Sequence, residues 1–286
     1  MDTSPHPSKV SEKLLVIHHG FLSFLRHRQG WQDIIYGLKL WKLAISLGWL
    51  DIKLRYRGSV VGPLWMTLSS ALMVGSMGLI YSTLFKMVLR DYLPFLALSM
   101  ILWQNVLSAI ISDACTCFLQ ANDTIHSIKL PYFVQALRTM VRNFIVLAHN
   151  IIVPLVVFVI FRVWPGWVGL LSIPALALWL IDGIAVCLLL GSLCARYRDI
   201  PPIVNSIMQV VFYVTPIIWQ PSQLAGKDWW LPLNPFYPLI EILRLPLLGG
   251  VPSLFVWECA FGYSFVLCLV AWFIFARARP RLAFWI

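Results

Sequence analysis

Long apolar runs dominate the pattern of hydrophobic and polar positions along the chain. Each of six runs holds 17 to 23 residues with almost no charge. An apolar helix of about 20 residues is long enough to cross the hydrocarbon core of a bilayer. The pattern therefore predicts an all-α membrane protein with six transmembrane helices, at Leu64–Phe85, Leu93–Ser112, Phe144–Phe161, Trp167–Cys187, Ile203–Trp219 and Leu254–Ala276.

A basic amphipathic stretch, Tyr36–Trp65, precedes the first run and is the element around which we expect the chain to be organised. With a helical period of 3.6 residues its polar positions form one stripe and its apolar positions cover most of the rest. This pattern predicts a helix lying in the membrane surface, with Trp41 and Trp49 at the interface. The stripe comprises Lys39, Lys42, Ser46, Lys53 and Arg57.

Residues 228–250, between the fifth and sixth runs, are apolar but are interrupted by four prolines. Proline breaks the helical hydrogen-bond ladder, so this segment is not expected to span. We predict two short re-entrant helices that enter from the outer face. Pro235 would begin the second of them, and Glu241 would pair with Arg244 at i and i+3. An interfacial hairpin outside the membrane is the alternative.

These elements divide the chain into consecutive regions. Residues 1–35 form a cytoplasmic leader, 36–62 the interface helix and its turn, 63–276 the six-span domain, and 277–286 a basic cytoplasmic tail. The composition agrees with this division, since the chain is 60% hydrophobic and 12% charged with a mean hydropathy of +0.81. Such values exclude an ordinary soluble domain. The six cysteines lie in or beside apolar runs and show no metal-ligand or disulfide spacing.

The distribution of basic residues predicts the orientation. Seventeen of the 22 Lys and Arg residues fall on the side of the N-terminus, if the six runs all cross. Cytoplasmic loops are enriched in Lys and Arg, so both termini are expected in the cytoplasm. This bias also accounts for the net charge of +10 without a nucleic-acid partner.

Two cytoplasmic loops have a composition suited to contact with a partner. In the first, Asn122 or Asp123 could cap a short helix that ends at Pro131. The second, 195–202, is short, charged and stiffened by its prolines. The alternative for both is a solvated connector that carries positive-inside charge.

Polar side chains in two of the runs are candidates for lining a channel. In the fifth run, Asn205, Gln209 and Phe212 recur at i, i+4 and i+7, and this places them on one helical face that lipid would reject. The alternative is that these groups pair with a neighbouring helix or with a second subunit. The candidates are Trp65, Ser69, Ser76 and Thr83 in the first run and Asn205, Gln209, Phe212 and Tyr213 in the fifth.

Asp182 lies in the middle of the fourth run, where a charged carboxylate is costly. His149 is the one basic side chain that could lie at a similar depth. A proton relay between the two is conceivable, but we favour a protonated or hydrogen-bonded carboxyl group.

Several motifs occur in an order that resembles a known family, and together they extend from about Tyr36 onward. The chain looks like the permease subunits of ATP-binding-cassette polysaccharide exporters of the O-antigen, capsule and teichoic acid type. Asp182 departs from the pattern expected of that family. The motifs are Asp51–Trp65, Arg196–Ile200, Thr215–Trp219, Leu233–Arg244 and the basic C-terminal segment.

The resemblance implies a homodimer of six-span subunits in a bacterial inner membrane, with a separate ATPase chain bound to each half. It implies that the partner binds ATP and Mg²⁺, and the 286 residues contain no G-x-x-x-x-G-K-[ST] phosphate loop or cofactor motif of their own. The cargo would be an undecaprenyl-linked polysaccharide, with O-antigen as our choice. By the same resemblance, the ATPase would contact Arg55, Tyr56, Arg57, Asn122, Asp123, Thr124, Ile125, Lys129, Arg196, Tyr197, Arg198 and Asp199, and a re-entrant gate would include Asn234, Pro235, Glu241 and Arg244.

Two other function classes are weighed against an exporter. A membrane enzyme acting on a polyprenyl-linked sugar needs a cluster of acidic or basic groups at one face, whereas Asp91, Asp228 and Glu241 are scattered. A secondary transporter usually has an inverted repeat and several intramembrane charges, and neither is evident here.

Overall fold

A computed structural model describes residues 27–58, 62, 64–121, 130–224, 226 and 229–286. Helices joined by short connections make up these ranges, which contain no β-strand. We number the helices in chain order: α1 (27–39), α2 (Trp41–Arg55), α3 (Leu64–Leu84), α4 (Leu89–Thr116), α5 (Tyr132–Phe161), α6 (Ser172–Arg196), α7 (Ile200–Val214), α8 (Phe236–Leu247) and α9 (Leu254–Trp285).

Five helical stretches of the described chain are long and apolar enough to cross a membrane. They are α3, α4, α5, α9 and the stretch Gly166–Arg196, in which a 3-10 turn runs into α6. These five correspond to five of the six predicted spans, so the chain is a multi-pass, all-helical protein.

The fifth predicted span, Ile203–Trp219, is wrong as a single helix. Helix α7 ends at Val214 after 15 residues and rises about 22 Å, which is less than the roughly 30 Å of a hydrocarbon core. Thr215 then takes an extended conformation, and Pro216 has no backbone N–H with which to continue the helix. The chain from Thr215 to Ile218 is nonetheless buried, so it continues through the protein interior without a helix.

Helix α4 is the central helix of the fold. Every residue from Tyr92 to Trp103 is buried except Leu93, which is half-buried. Its first half packs against α3, α8 and the second half of α5, and its second half packs against α6 and α7. A π-helical segment, Trp103–Ser108, separates the two halves. The fold is therefore organised around α4, and not around Tyr36–Trp65 as expected.

The predicted interface helix, 36–62, is two helices that break at Leu40 and end at Arg55. Ala44, Gly48 and Ile52 form a buried stripe at i, i+4 and i+8, along which α2 packs beside the first half of α5. Glycine at position 48 permits this approach, because an added Cβ would lie 2.8 Å from a methyl carbon of Val141. Two small residues and Ile52 therefore face the protein, while Trp41 and Trp49 are exposed.

Two carboxylates fasten the N-terminal helices to the bundle. Asp33 of α1 accepts hydrogen bonds from the backbone N–H of Phe133 and from Nε of Arg279, both at 3.0 Å. Burial raises the pKa of Asp33, and these two donors oppose the rise. Asp51 of α2 pairs with Arg138 at 2.5 Å. The chain segments around Asp33, Phe133 and Arg279 therefore meet at one end of the bundle, which we call the Arg279 end.

The C-terminal residues 277–286, predicted as a tail, continue helix α9 as far as Trp285. Of the two re-entrant helices predicted in 228–250, the second corresponds to α8, which follows Pro235. The first is not a helix of comparable length, because the described residues between α7 and α8 form only the 3-10 turns Pro221–Leu224 and Leu231–Leu233.

Candidate functional site: a polar cavity beside α7

A cavity of about 590 Å³ lies between α3, α4 and α7. Four of the residues predicted to line a channel border it, namely Asn205, Gln209, Phe212 and Tyr213. The i, i+4, i+7 spacing therefore placed these side chains correctly on one face of α7.

Helix α7 is attached to the bundle through the same face that borders the cavity, because Met208 also lines it. Met208 is its buried residue and packs against the core. Asn205 and Gln209 are exposed, and neither amide is hydrogen-bonded to another residue in the described part of the chain. Both amides are thus available to a ligand or to a second protein chain.

Helix α4 supplies the opposite wall of the cavity with four residues that the sequence analysis missed: Trp103, Gln104, Ser108 and Ser112. The last three recur at i, i+4 and i+8, which is the same kind of signal that identified the face of α7. The run Leu93–Ser112 was treated as uniformly apolar, and so this signal was overlooked.

Aromatic rings border the cavity on the side of α8. The ring of Trp103 lies 6.1 Å from Phe212 and 5.5 Å from Phe236, and Phe212 lies 5.1 Å from Tyr213. Trp103 begins the π-helical segment of α4, a geometry that often occurs at functional sites. Amides, hydroxyls and aromatic faces together can form exchangeable hydrogen bonds and stacking contacts with a polyhydroxylated molecule.

The predicted residues of the first span do not line this cavity. Helix α3 contributes Met73 and Met77 instead. The hydroxyl groups of Ser69, Ser76 and Thr83 donate to carbonyls of their own helix, at 2.7 to 3.1 Å for the shortest bond of each. Those three side chains and Trp65 are exposed on α3.

The residues predicted to contact an ATPase fall into three groups. Arg55 and Arg57 are exposed at the end of α2. Tyr56 instead turns toward the bundle, where its hydroxyl group donates to Sδ of Met66 at 2.5 Å. Asn122, Asp123, Thr124, Ile125 and Lys129 lie outside the described residues.

The third group, Arg196 to Asp199, forms a short connection between α6 and α7 in which all four residues are exposed. Nη2 of Arg198 donates to the carbonyl of Trp285 at 3.4 Å. This contact places the loop at the Arg279 end of the bundle, near the end of α9. Prolines at 201 and 202 begin α7 and stiffen the connection.

Arg244, predicted as part of a gate, is almost fully buried at 1% exposure. It forms the expected ion pair with Glu241. It also donates to Oγ of Ser99 at 2.9 Å and to the carbonyl of Pro216 at 2.6 Å. Its guanidinium carbon lies 4.2 Å from the ring centroid of Phe95. Arg244 therefore joins α8 to α4 and to the extended segment after α7.

Asn234 and Pro235 precede α8. The side-chain oxygen of Asn234 accepts from the backbone N–H of Phe236 at 3.0 Å, and its amide group donates to Oγ1 of Thr215 at 2.8 Å. Asn234 thus caps the start of α8 and also holds the extended segment, while Pro235 sets the backbone angle at the cap.

Asp182 borders a separate, mainly apolar cavity of about 360 Å³. One oxygen of its carboxyl group accepts from Ser264 at 2.7 Å, and the other is buried without a hydrogen-bond partner among the described residues. His149 does not contact it, since the ring of His149 bonds to the carbonyl of Ile145 at 2.8 Å. The hydrogen-bonded state that the sequence analysis favoured is the observed one, and no relay with His149 forms in this arrangement.

Comparison with known proteins identifies relatives over most of the chain. No family model matches. The chain is 26% identical over 205 residues to the O-antigen export system permease protein RfbA of Myxococcus xanthus, covering 69% of this chain and 77% of that protein. It is 24% identical over 258 residues to each of two O-antigen export system permease proteins RfbA of Klebsiella pneumoniae, covering 85% of this chain and 98% of each relative. These matches confirm the resemblance found in the sequence: the chain is related to the permease proteins of O-antigen export systems.

Proposed function

We propose that this chain is the channel-forming permease subunit of an ATP-driven exporter that moves a lipid-linked polysaccharide, O-antigen, from the cytoplasm to the periplasm. The cavity between α3, α4 and α7 is the observation that carries the proposal. Its amides, hydroxyls and aromatic rings suit a polyhydroxylated chain that must slide without tight binding. The permease names of the relatives favour a transport subunit over an enzyme.

A second copy of the chain completes the channel in this proposal. Helix α3 buries Val74, Gly78 and Ser82 in one narrow stripe, and its other faces are exposed or half-buried. The half-buried Met73 and Met77 of α3 and the exposed Asn205 and Gln209 of α7 border the same cavity. Pairing two such surfaces would enclose one pathway between two subunits, with Ser69, Ser76 and Thr83 beside it. The arrangement is a homodimer with two-fold symmetry.

In this proposal the chain still crosses the membrane six times. Five are the long helices, and the remaining one is α7 together with the buried extended segment Thr215–Ile218. Backbone without helix is tolerated at membrane depth where it is buried in protein. The Arg279 end would then face the cytoplasm of a bacterial inner membrane, with both termini there, in agreement with the positive-inside bias.

Helix α2 would lie at the cytoplasmic surface of the membrane, with α5 beside it. Trp41, Ile45 and Trp49 are exposed on α2 although they are large and apolar. Lys39 and Lys42 are exposed next to them. Apolar rings beside basic side chains suit the boundary between acyl chains and anionic headgroups.

ATP hydrolysis would be supplied in trans by two ATPase chains that bind at the Arg279 end and hold the ATP and Mg²⁺. The exposed loop Arg196–Asp199 and the exposed Arg55 and Arg57 are the contacts that we assign to them. Because the loop is short and continuous with α6 and α7, a push on it would tilt both helices. Helix α7 carries the polar face of the cavity, so this motion would reach the channel directly.

Co-purification with Mg-ATP hydrolysis tests the proposal. The tagged full chain should isolate a stoichiometric ATPase chain from its native membrane and stimulate that chain's hydrolysis. Arg198→Ala and Asp199→Ala should insert normally and lose the stimulation, and Arg90→Ala, exposed at the start of α4, should keep it. A chain that isolates no ATPase and moves its cargo with an ion gradient, or that transfers a sugar, would overturn the proposal.

A further inference from the structure

A second polar cavity, of about 340 Å³, lies between the C-terminal parts of α6 and α9 at the Arg279 end. Three arginines line it, Arg196 at the end of α6 and Arg277 and Arg281 on α9. It shares no lining residue with the cavity beside α7. Its position and its charge therefore need a separate explanation.

The three guanidinium groups have no acidic partner in the described part of the chain. Arg277 and Arg281 are spaced at i and i+4 on one face of α9, where like charges repel each other. Arg279 lies between Arg277 and Arg281 in the sequence but on the opposite side of α9, where it pairs with Asp33. The protein thus neutralises the arginine that faces the bundle and leaves three positive charges around the cavity.

Aromatic contacts fix the orientation of Arg196. Its guanidinium carbon lies 5.0 Å from the ring centroid of Tyr197 and 5.3 Å from that of Trp285. Stacking of this kind holds a long side chain that would otherwise rotate freely. A guanidinium group held in place presents its N–H donors as a fork that matches the oxygens of a phosphate group.

The charge balance favours an anion in the cavity. The C-terminal carbonyls of α6 contribute about half a negative charge, which opposes an anion. Three arginines supply more than enough positive charge to outweigh it. An anion bound among them would also relieve the repulsion between Arg277 and Arg281.

The inner lining of the cavity is mainly apolar, and its one hydroxyl group, that of Ser192, donates to the carbonyl of Leu188. Leu193 of α6 and Ile274 of α9 lie one helical turn before the arginines, on the side of the membrane-spanning parts of both helices. Trp285 closes the outer side. A phosphate group joined to an apolar chain that continues toward the bilayer would match both parts of this lining, and that is the chemistry of a lipid. Basic cavities between transmembrane helices at the cytoplasmic side bind anionic headgroups in this way.

We propose that Arg196, Arg277 and Arg281 form a binding site for the phosphate headgroup of an anionic phospholipid. The site lies where α6 meets the loop Arg196–Asp199, so a bound lipid would brace the base of that loop. The assignment rests on the charges and the lining of this cavity, and it does not depend on the export function.

Native mass spectrometry of the purified full chain tests the site. Phosphatidylglycerol should bind at low micromolar concentration, and phosphatidylcholine with the same acyl chains should bind far more weakly. Arg277→Gln and Arg281→Gln should each weaken phosphatidylglycerol binding about fivefold, and the double variant about 25-fold. Arg90→Gln, which removes an exposed arginine outside this cavity, should leave the affinity unchanged.

Three results would overturn the proposal. The first is a double variant that binds phosphatidylglycerol as tightly as the parent while eluting as the same folded species. The second is complete displacement of the lipid by inorganic phosphate at the ionic strength of a chloride control, which would make the site one for free phosphate. The third is tighter binding of undecaprenyl phosphate than of phosphatidylglycerol through the same arginines, which would assign the site to the carrier lipid.

Discussion

The guanidinium group of Arg244 donates a hydrogen bond to the backbone carbonyl of Pro216 at 2.6 Å. The carbonyl of Pro216 lies just beyond the last turn of α7. Because the helix has ended there, no backbone N–H group of a following helical turn donates to this carbonyl. One buried side chain of α8 thus supplies a bond that a longer helix would have made itself. The position of α7, and of the polar face that it carries, depends on this contact.

Replacing Arg244 should destabilise the protein severely. Arg244→Met would leave the carboxylate of Glu241 without its partner and the carbonyl of Pro216 without its donor in a buried environment. Removal of one partner of a buried ion pair costs about 3–5 kcal/mol. Denaturation in mixed micelles, followed by tryptophan fluorescence, measures the change.

Two further variants separate the charge from the geometry of Arg244. Arg244→Lys keeps the charge but has no planar fork, and it should recover less than half of the loss. Arg90→Met, at an exposed position, should unfold like the parent. Equal stability of Arg244→Met and Arg90→Met would show that the bonds to Glu241 and Pro216 contribute nothing.

A bulky side chain at position 209 should block polymer export. Gln209→Trp would place an indole ring in the cavity that Gln209 borders, while α7 itself has room to stay in place because position 209 is exposed. Surface O-antigen in a complemented deletion strain, together with the amount of protein in the membrane, measures the effect. Ile203→Trp is the matched control, since Ile203 is exposed on α7 but does not line the cavity. Export that continues normally with Gln209→Trp would remove this cavity from the pathway.

Gly48 should not tolerate a methyl group. The Cβ of an alanine there would lie 2.8 Å from Cγ1 of Val141 and 3.0 Å from the backbone carbonyl oxygen of Arg138. Because the backbone cannot rotate away, Gly48→Ala should destabilise the contact between α2 and α5 by about 1–3 kcal/mol. Limited proteolysis near Tyr56 would report the detachment of α2.

Gly75→Ala should stabilise the protein, in contrast to Gly48→Ala. Apart from the neighbouring backbone of α3 itself, no heavy atom of the described residues lies within 4 Å of an added Cβ at this position. Alanine loses less conformational entropy in a helix than glycine, so the variant should be more stable by about 0.5–1 kcal/mol. A similar loss of stability in both glycine variants would refute the steric argument for Gly48.

Asp51 and Arg138 should be energetically coupled. Their carboxylate and guanidinium groups form a two-bond contact, with distances of 2.5 and 2.7 Å, between α2 and α5. A double-mutant cycle with Asp51→Asn and Arg138→Gln should give a coupling free energy of about 1–2 kcal/mol. Additive effects of the two substitutions would mean that Asp51 acts through Arg142, which lies 3.8 Å away.

The apolar pattern predicted the five long helices correctly because a run of about 20 apolar residues has few alternatives in a bilayer. The same rule failed at Ile203–Trp219. Apolar length says nothing about where helical bonding stops. Here Arg244 donates to the carbonyl of Pro216 and Asn234 donates to the hydroxyl group of Thr215, after the helix has ended at Val214. Those partners are distant in sequence, so periodicity within the run could not reveal them.

The face of α7 was predictable because Asn205, Gln209 and Phe212 follow the helical period. The wall formed by Gln104, Ser108 and Ser112 has a similar spacing in the sequence, and it was overlooked because the run Leu93–Ser112 was treated as uniformly apolar. Helix α3 borders this cavity through Met73 and Met77, and its hydroxyl groups bond to their own helix, so the channel-lining role of Ser69, Ser76 and Thr83 stays a prediction. The hydroxyl group of a serine in an apolar helix can donate to a backbone carbonyl of the same helix, so the presence of serine alone does not indicate a channel.

The bond between Asp33 and Arg279 has a practical consequence for protein engineering. It connects helix α1 to a position seven residues before Ile286. Shortening the chain after Ala276, to improve crystals or to attach a reporter, would also remove the partner of Asp33 in α1. A flexible fusion should therefore follow Ile286 and leave α9 intact.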